Sequence, residues 1–444
     1  MSKQNKEKVL DKKSAVRYLA GLIVLFLFLA AAIVVVFDPF YQYHEPWFGL
    51  KAVLNDRDNQ VVGTIRTFDY DSVLLGSSVA ENYDSSFLDA SFDCTTLKVI
   101  RASGSTADLL YYLDKAHRRQ ELKNVFWSMD IFALTASPQI TLTSKDTPHY
   151  LHTDTVLDDW PYLWNKEILC ETIPQMLAFS QMGMNTQGQA YNWARGKNFS
   201  AEGAMRAYDK PKEENVFYAA EDSADTSAEE VEDAFSERNP VSDFPEEGVE
   251  NVSSKKEPAG ASSAEGVVDV SAERESVSDP EVEGLEGISA KAGSFLWESQ
   301  DALSMDEQQN LTENLSMIEG ELSMHPDTSY TIIFPPYSMM WWDCGYVNGV
   351  LETYFEVLEQ TIPVLLTHDN AKVYFFVSDR DVICNLDNYM DMIHYSPDIN
   401  QYMLEEIVQD GHRVSEANWE DVLTDMKNTC EYIIDEGIYN YYSR

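Results

Sequence analysis

The sequence predicts an α/β protein in which helices cover both faces of a parallel sheet, with one N-terminal transmembrane helix and a disordered acidic insert. Residues 19–37 carry no charged or strongly polar side chain. Further along, short β-branched or aromatic runs alternate with helical patterns, and an acidic segment poor in aromatic residues divides them. Strands that alternate with helices favour a parallel sheet, because each helix carries the chain back across a face of the sheet.

The apolar run 19–37 is predicted to anchor the chain in a membrane. At 1.5 Å per residue a helix of this length crosses about 28 Å, close to the thickness of a bilayer's hydrocarbon core. The basic residues before it are Lys3, Lys6, Lys8, Lys12, Lys13 and Arg17, and the first one after it is Lys51. This asymmetry predicts a cytoplasmic segment over residues 1–18 and an extracytoplasmic remainder, so the chain crosses the cell membrane once.

A cleaved signal peptide is the alternative interpretation of the N-terminus. Its apolar region would be shorter and would end in small residues, whereas this run ends in Val-Val-Val-Phe before Asp38 and Pro39. The sequence therefore favours an uncleaved signal anchor.

The strands of the predicted sheet are short and lie in two stretches, 45–205 and 294–444. They are Ser72–Leu75, Leu97–Arg101, Asn124–Met129, Tyr330–Phe334 and Lys372–Val377. The helices predicted between and after them are Thr106–Gln120, Leu303–Ser323, Tyr346–Leu358, Asp398–Gln409 and Trp419–Ile434. The two stretches together are predicted to form one sheet.

The segment 206–293 separates the two stretches and is predicted to be disordered. Between Pro211 and Ala290 there are 23 acidic and 5 basic residues and few aromatic ones. Such a composition buries too little apolar surface to offset the entropy lost on ordering.

Composition and charge exclude several classes of function. The net charge of −43 argues against binding to nucleic acid and against electrostatic docking on anionic lipid. The 5 cysteines are scattered, with no CxxC motif and no Cys/His cluster, so no metal site and no cofactor are expected.

Two motifs follow strands of the predicted sheet, where ligands bind in parallel sheets. Gly76-Ser77-Ser78 comes after the first strand, and a serine at such a strand-to-helix turn exposes its hydroxyl near free N–H groups. Asp391 and His394 come after the last strand, three residues apart, so a single helical turn would place both side chains on one side. Simple turn and capping chemistry remains the alternative interpretation of each motif alone.

Taken together and in this order, the motifs resemble the SGNH, or GDSL-type, hydrolase superfamily. The resemblance covers most of both stretches and includes Gly104 after the second strand and Asp130 after the third. It implies Ser78 as nucleophile and oxyanion donor, Gly104 as a second oxyanion donor, His394 as base and Asp391 as the orienting acid.

The ending of the chain looks most like the membrane-anchored branch of that superfamily. This branch includes the D-alanyl transfer protein of teichoic acid synthesis and proteins that acylate surface polysaccharides. The residues that carry this likeness are His394-Tyr395-Ser396 and the segment Phe334-Pro335-Pro336-Tyr337-Ser338. Ser77, Tyr337 and Ser338 are expected to line the cleft, although Pro335-Pro336-Tyr337-Ser338 fits a rigid strand exit equally well.

The third block departs from the family pattern. The family has an asparagine there, whereas this chain has Asp130. An ionised carboxylate would repel a developing oxyanion, so either Asp130 is protonated or serves another role, or the oxyanion hole lacks one donor.

Two functions therefore follow from the resemblance. The first is a serine esterase or O-acyltransferase that acts on cell-envelope glycan or its acyl ester through Ser78, Asp391 and His394. The second is a catalytically inactive scaffold that binds glycan or a membrane-bound O-acyltransferase partner, which the missing asparagine favours. A surface spacer whose acidic insert is the functional part would not explain the three site residues.

Overall fold

The computed structural model describes residues 12–140, 148–153, 155–184, 186–208, 301–438 and 440. These residues belong to one compact unit, built from 1–209 and 290–444. The predicted insert 206–293, apart from its first three residues, lies outside the described residues, as do residues 1–11 of the predicted cytoplasmic segment.

A six-stranded, mostly parallel sheet forms the centre of this unit, which confirms the predicted α/β class. Its strands are β1 (Ser72–Gly76), β2 (Thr96–Ile100), β3 (Asn124–Ser128), β4 (Ser329–Phe334), β5 (Ala371–Phe375) and β6 (Arg413–Val414). The order is β2-β1-β3-β4-β5-β6, and all neighbours are parallel except β5 and β6. Every residue of β1 and β2 is buried, so both faces of the sheet are covered there.

Four of the five helices predicted in the two stretches begin and end within two residues of the predicted positions. The described residues form fourteen α-helices in all. Their bounds are Lys12–Phe37, Arg57–Thr67, Ser85–Phe92, Thr106–Arg119, Ile131–Thr135, Trp160–Leu163, Ile173–Met182, Ala201–Tyr208, Met305–Met324, Met339–Val347, Leu351–Leu366, Arg380–Ile383, Pro397–Val408 and Trp419–Glu436. The helix Thr106–Arg119 begins where the Ser105 hydroxyl accepts a hydrogen bond from the N–H of Asp108, at 3.2 Å. The N-cap is therefore Ser105, the residue before the predicted start.

The prediction of one helix over Tyr346–Leu358 was wrong. Two helices, Met339–Val347 and Leu351–Leu366, meet at Gly349, whose φ of 78° lies in the left-handed region. Such a residue ends a helix, and glycine adopts that conformation without steric cost.

The helix Lys12–Phe37 contains a stretch, Ser14–Phe37, that is long and apolar enough to cross a membrane. It ends at Asp38, whose carboxylate accepts hydrogen bonds from the N–H groups of Gln42, Tyr43 and His44. These bonds turn the chain sharply at the end of the helix. The turn places Phe40 against Tyr162, where the two rings stack with centroids 5.2 Å apart.

Candidate active site

The turn after β1 brings Ser78 to the carboxyl end of the sheet. A Cβ on Gly76 would lie 2.8 Å from the Cβ of Ala80 and 3.0 Å from that of Ser128, so only glycine lets the turn fold back against β3. Ser78 then opens a short 3-10 helix, Ser78–Ala80. The N–H of a first helical residue has no partner within the helix, so the N–H of Ser78 is not used by this turn.

Three side chains form a connected hydrogen-bond chain at this end of the sheet. Ser78 Oγ lies 2.9 Å from His394 Nε2, and His394 Nδ1 lies 2.7 Å from Asp391 Oδ2. Ser78 and His394 are 316 residues apart in sequence, and the fold alone brings them together. A histidine between a hydroxyl and a carboxylate can take the hydroxyl proton while the carboxylate fixes its tautomer.

The segment that holds Asp391 and His394 is a loop and not the helical turn that the spacing suggested. Asp391 Oδ1 accepts hydrogen bonds from the N–H of Ile393 at 2.9 Å and of His394 at 2.7 Å. This Asx-type arrangement uses one carboxylate oxygen to fold the loop and leaves the other for the imidazole. The loop is closed at its base by the bridge between Tyr389 and Tyr395.

The environment of Asp391 keeps its carboxyl ionised. Burial acts to raise the pKa of Asp391, but the hydrogen bonds and charge of His394 and the two backbone N–H groups outweigh it and hold that pKa below its usual value. An ionised carboxylate at this position can stabilise an imidazolium on His394.

Gly104 sits after β2 as expected, but its N–H is already engaged. It donates to the carbonyl of Arg101 at 3.1 Å. A Cβ on Gly104 would lie 2.8 Å from the side chain of Arg101, so glycine is needed for this tight turn. The second oxyanion donor that the resemblance implies would have to leave this bond in order to act.

Asp130 lies next to Ser77 in the turn after β1 and is 1% exposed. The hydroxyl of Tyr337 donates to one of its carboxylate oxygens. Burial raises the pKa of Asp130 to about 6, although hydrogen bonds from Tyr337 and Ser77 and the nearby His394 act in the opposite direction. Asp130 is therefore partly protonated in mildly acidic solution.

The three residues expected to line the cleft lie below its surface. Ser77 is 2% exposed, and Tyr337 and Ser338 are fully buried. Ser338 donates from its backbone N–H and its hydroxyl to the carbonyl of Met392, at 3.1 and 2.9 Å. These residues therefore lie inside the protein, where Ser338 holds the loop of His394 through the carbonyl of Met392.

The structure adds one site residue that sequence reasoning missed. Trp193 donates its indole N–H to the carbonyl of Ser78 at 2.9 Å, and its ring meets the His394 ring edge-on with centroids 5.1 Å apart. Phe199 lies beside it, at 6.1 Å between ring centroids. Trp193 follows no strand of the sheet, so no positional pattern pointed to it. Its ring forms one wall beside the Ser78–His394 pair.

Replacing Asp130 by asparagine should stabilise the protein at pH 8 by about 3 kcal/mol and have little effect at pH 4. Because folding raises the pKa of Asp130 from 3.8 to about 6, the stability that its protonation contributes is fully present below pH 3.8 and is lost as the pH rises through 6. Melting temperatures of Asp130→Asn and the parent at both pH values measure this difference. Asp327→Asn, at an exposed position, is the matched control. Equal gains at pH 4 and pH 8 would contradict the assigned pKa.

No family model, curated protein or solved structure matches this chain.

Proposed function

We propose that this chain is a membrane-anchored, extracytoplasmic serine esterase or O-acyltransferase of the SGNH type that acts on acyl esters of cell-envelope glycan. The observation that carries the proposal is the hydrogen-bond chain from Ser78 through His394 to Asp391, at 2.9 and 2.7 Å. The order of the site supports the family assignment as well. Ser78 follows β1, and the Asp391–His394 pair follows β5 of a parallel sheet.

The chemistry follows from the donors and acceptors of these three residues. Ser78 Oγ attacks the ester carbonyl while its proton passes to His394 Nε2, and Asp391 stabilises the imidazolium through Nδ1. The tetrahedral intermediate then collapses, and the leaving alcohol takes the proton from His394. Water or a glycan hydroxyl next attacks the acyl-serine, gives its proton to His394 and releases the acid or the new ester with Ser78 restored.

The anchor helix and its flanking charges support the location of this reaction. A helix that crosses once with Lys12, Lys13 and Arg17 on the cytoplasmic side holds Ser78 outside the cell. Protease added to intact cells should therefore cleave the acidic segment 206–293, which this orientation places outside the cytoplasm. Cleavage of that segment only after lysis would contradict this orientation, with a cytoplasmic protein as the control for cell integrity.

A catalytically inactive scaffold that binds glycan or a membrane-bound O-acyltransferase is the second candidate. Two observations favour it. The N–H of Gly104 is bonded to Arg101, and Asp130 stands where the family has an asparagine donor. Loss of one oxyanion donor costs about 10²–10³ in rate in serine hydrolases.

A fluorophosphonate probe distinguishes the two candidates. It phosphonylates only a serine whose proton can be removed, so the full chain in detergent micelles should be labelled, with the adduct on the peptide that contains Ser78. Heat-denatured protein is the matched control, because unfolding separates Ser78 from His394. An unlabelled folded protein, or an adduct on another serine, would contradict the enzyme proposal.

A further inference from the structure

The last part of the helix Lys12–Phe37 is covered by another segment of the protein. Residues from Tyr18 to Leu29 are exposed, for example 68% at Tyr18 and 50% at Leu29, whereas Ala30 is 7% exposed and Val34 fully buried. After Arg17, the last charged residue of the helix, the stretch in which every residue is exposed spans twelve residues, or about 18 Å of helix. This is well short of the ~30 Å of a bilayer's hydrocarbon core.

The segment that covers the rest of the helix runs from Thr155 to Met182. Tyr162 and Ile168 pack in one apolar cluster with Val34. The indole N–H of Trp164 donates to the carbonyl of Leu27 at 2.9 Å, ten residues before the end of the helix. The contact therefore reaches about 15 Å back along the anchor from Phe37.

Three large apolar side chains of this segment are exposed. Leu157 is 84% exposed, Trp160 63% and Trp164 45%, and we name these three residues the base patch. Tryptophan is the residue most typical of the boundary between headgroups and acyl chains, because its ring is apolar and its N–H needs a partner. Trp164 already satisfies its N–H on the anchor helix.

We propose that the base patch is inserted in the outer leaflet of the bilayer, so that lipid acyl chains and not water cover Leu157, Trp160 and Trp164. The inference rests on the proposed membrane anchoring but not on the proposed chemistry. Its reason is length: a bilayer that begins after Arg17 extends past Leu29 and meets the segment packed on the anchor.

The charges of the segment set how deep it sits. Asp158 lies between Leu157 and Trp160, and Lys166 and Glu167 follow Trp164 after Asn165. All three charged residues are exposed, so they must reach water or headgroups. Local thinning of the bilayer and tilt of the anchor accommodate such a mismatch at modest cost. Because the protein is strongly acidic, the insertion depends on apolar contact and should not require anionic lipid.

Site-specific fluorescence in a bilayer tests the proposal. The full chain, with its native cysteines replaced by serine, carries a nitrobenzoxadiazole label on Leu157→Cys or Trp160→Cys and is reconstituted in phosphatidylcholine vesicles. Met305→Cys is the control, at a position 89% exposed on a helix that does not contact the anchor. Lipids with a nitroxide on the acyl chain should quench the label at 157 and 160 at least twofold and leave the label at 305 unchanged.

Three outcomes are informative. Equal quenching with and without anionic phosphatidylglycerol supports the proposal. Quenching at 157 and 160 that is no stronger than at 305 overturns the proposal. If the labels at 157 and 160 are shielded from a water-soluble quencher in native membranes but not in the vesicles, a membrane-protein partner and not lipid covers the base patch. Flotation of the same vesicles reports anchoring independently, and probe labelling of Ser78 reports the chemistry, so failure of either is distinguished from failure of the insertion.

Discussion

Asp391→Asn should lower acyl-ester turnover by about 10⁴-fold, as removal of the triad carboxylate does in serine proteases. Two effects combine. The amide cannot stabilise an imidazolium on His394, and its NH₂ group can face Nδ1, which leaves the proton on Nε2. The imidazole then presents a donor to Ser78 Oγ and can no longer accept its proton.

The fold should survive this substitution, because the asparagine oxygen can still accept the N–H groups of Ile393 and His394 that shape the loop. Turnover of a p-nitrophenyl ester and the melting temperature are measured on the same preparation. A tenfold decrease or less, with the melting temperature unchanged, would show that Asp391 is only a loop-forming residue. A fall in rate that accompanies unfolding would be seen directly in the melting curve.

Ser78→Ala should abolish probe labelling and reduce turnover by about 10⁵–10⁶-fold, since the nucleophile itself is removed. The substitution takes away a single oxygen at a partly exposed position, so stability should change by less than about 1 kcal/mol. Covalent labelling followed by intact mass gives the first readout, and ester turnover gives the second.

The neighbouring serine provides the matched control. Ser77 is buried and its hydroxyl bonds to Asp130, whereas the hydroxyl that meets His394 is that of Ser78. Ser77→Ala should therefore keep its probe labelling and lose at most about tenfold in turnover. Full labelling of Ser78→Ala would show that another serine is the nucleophile, and equal loss in both variants would indicate that the turn has collapsed.

The sequence predicted that Ser78, His394 and Asp391 would come together, because these residues follow strands of the sheet. β-branched and aromatic runs located β1 to β5, and in a parallel sheet the residues after such strands meet at one edge. The geometry of the Asp391–His394 pair was harder to predict from the sequence. Their spacing suggested a helical turn, whereas the carboxylate of Asp391 folds the segment as a loop. A three-residue spacing does not distinguish the two, since either brings the side chains together.

Other features of the structure correspond to no recognisable pattern in the local sequence. β6 is two residues long and pairs antiparallel with β5, too short for an alternating pattern to be visible. Trp193 reaches the site through a long-range bond to the Ser78 carbonyl, and the burial of Tyr337 depends on contacts with Asp130 that arise only in the folded sheet. Tertiary contacts of this kind determine position independently of the neighbouring sequence.

The two halves of the sheet come from two separate stretches of the chain. β2, β1 and β3 come from the first stretch, and β4, β5 and β6 come from the second, with β3 and β4 paired from Asn124 opposite Ser329 to Ser128 opposite Ile333. Ser78 is on one side of this seam and His394 on the other. Because the β3–β4 pair is almost entirely buried, we expect the two halves to stay joined after a cut between Tyr208 and Asp301. The peptide link then matters for bringing the halves together, by raising their effective concentration, and not for holding the site.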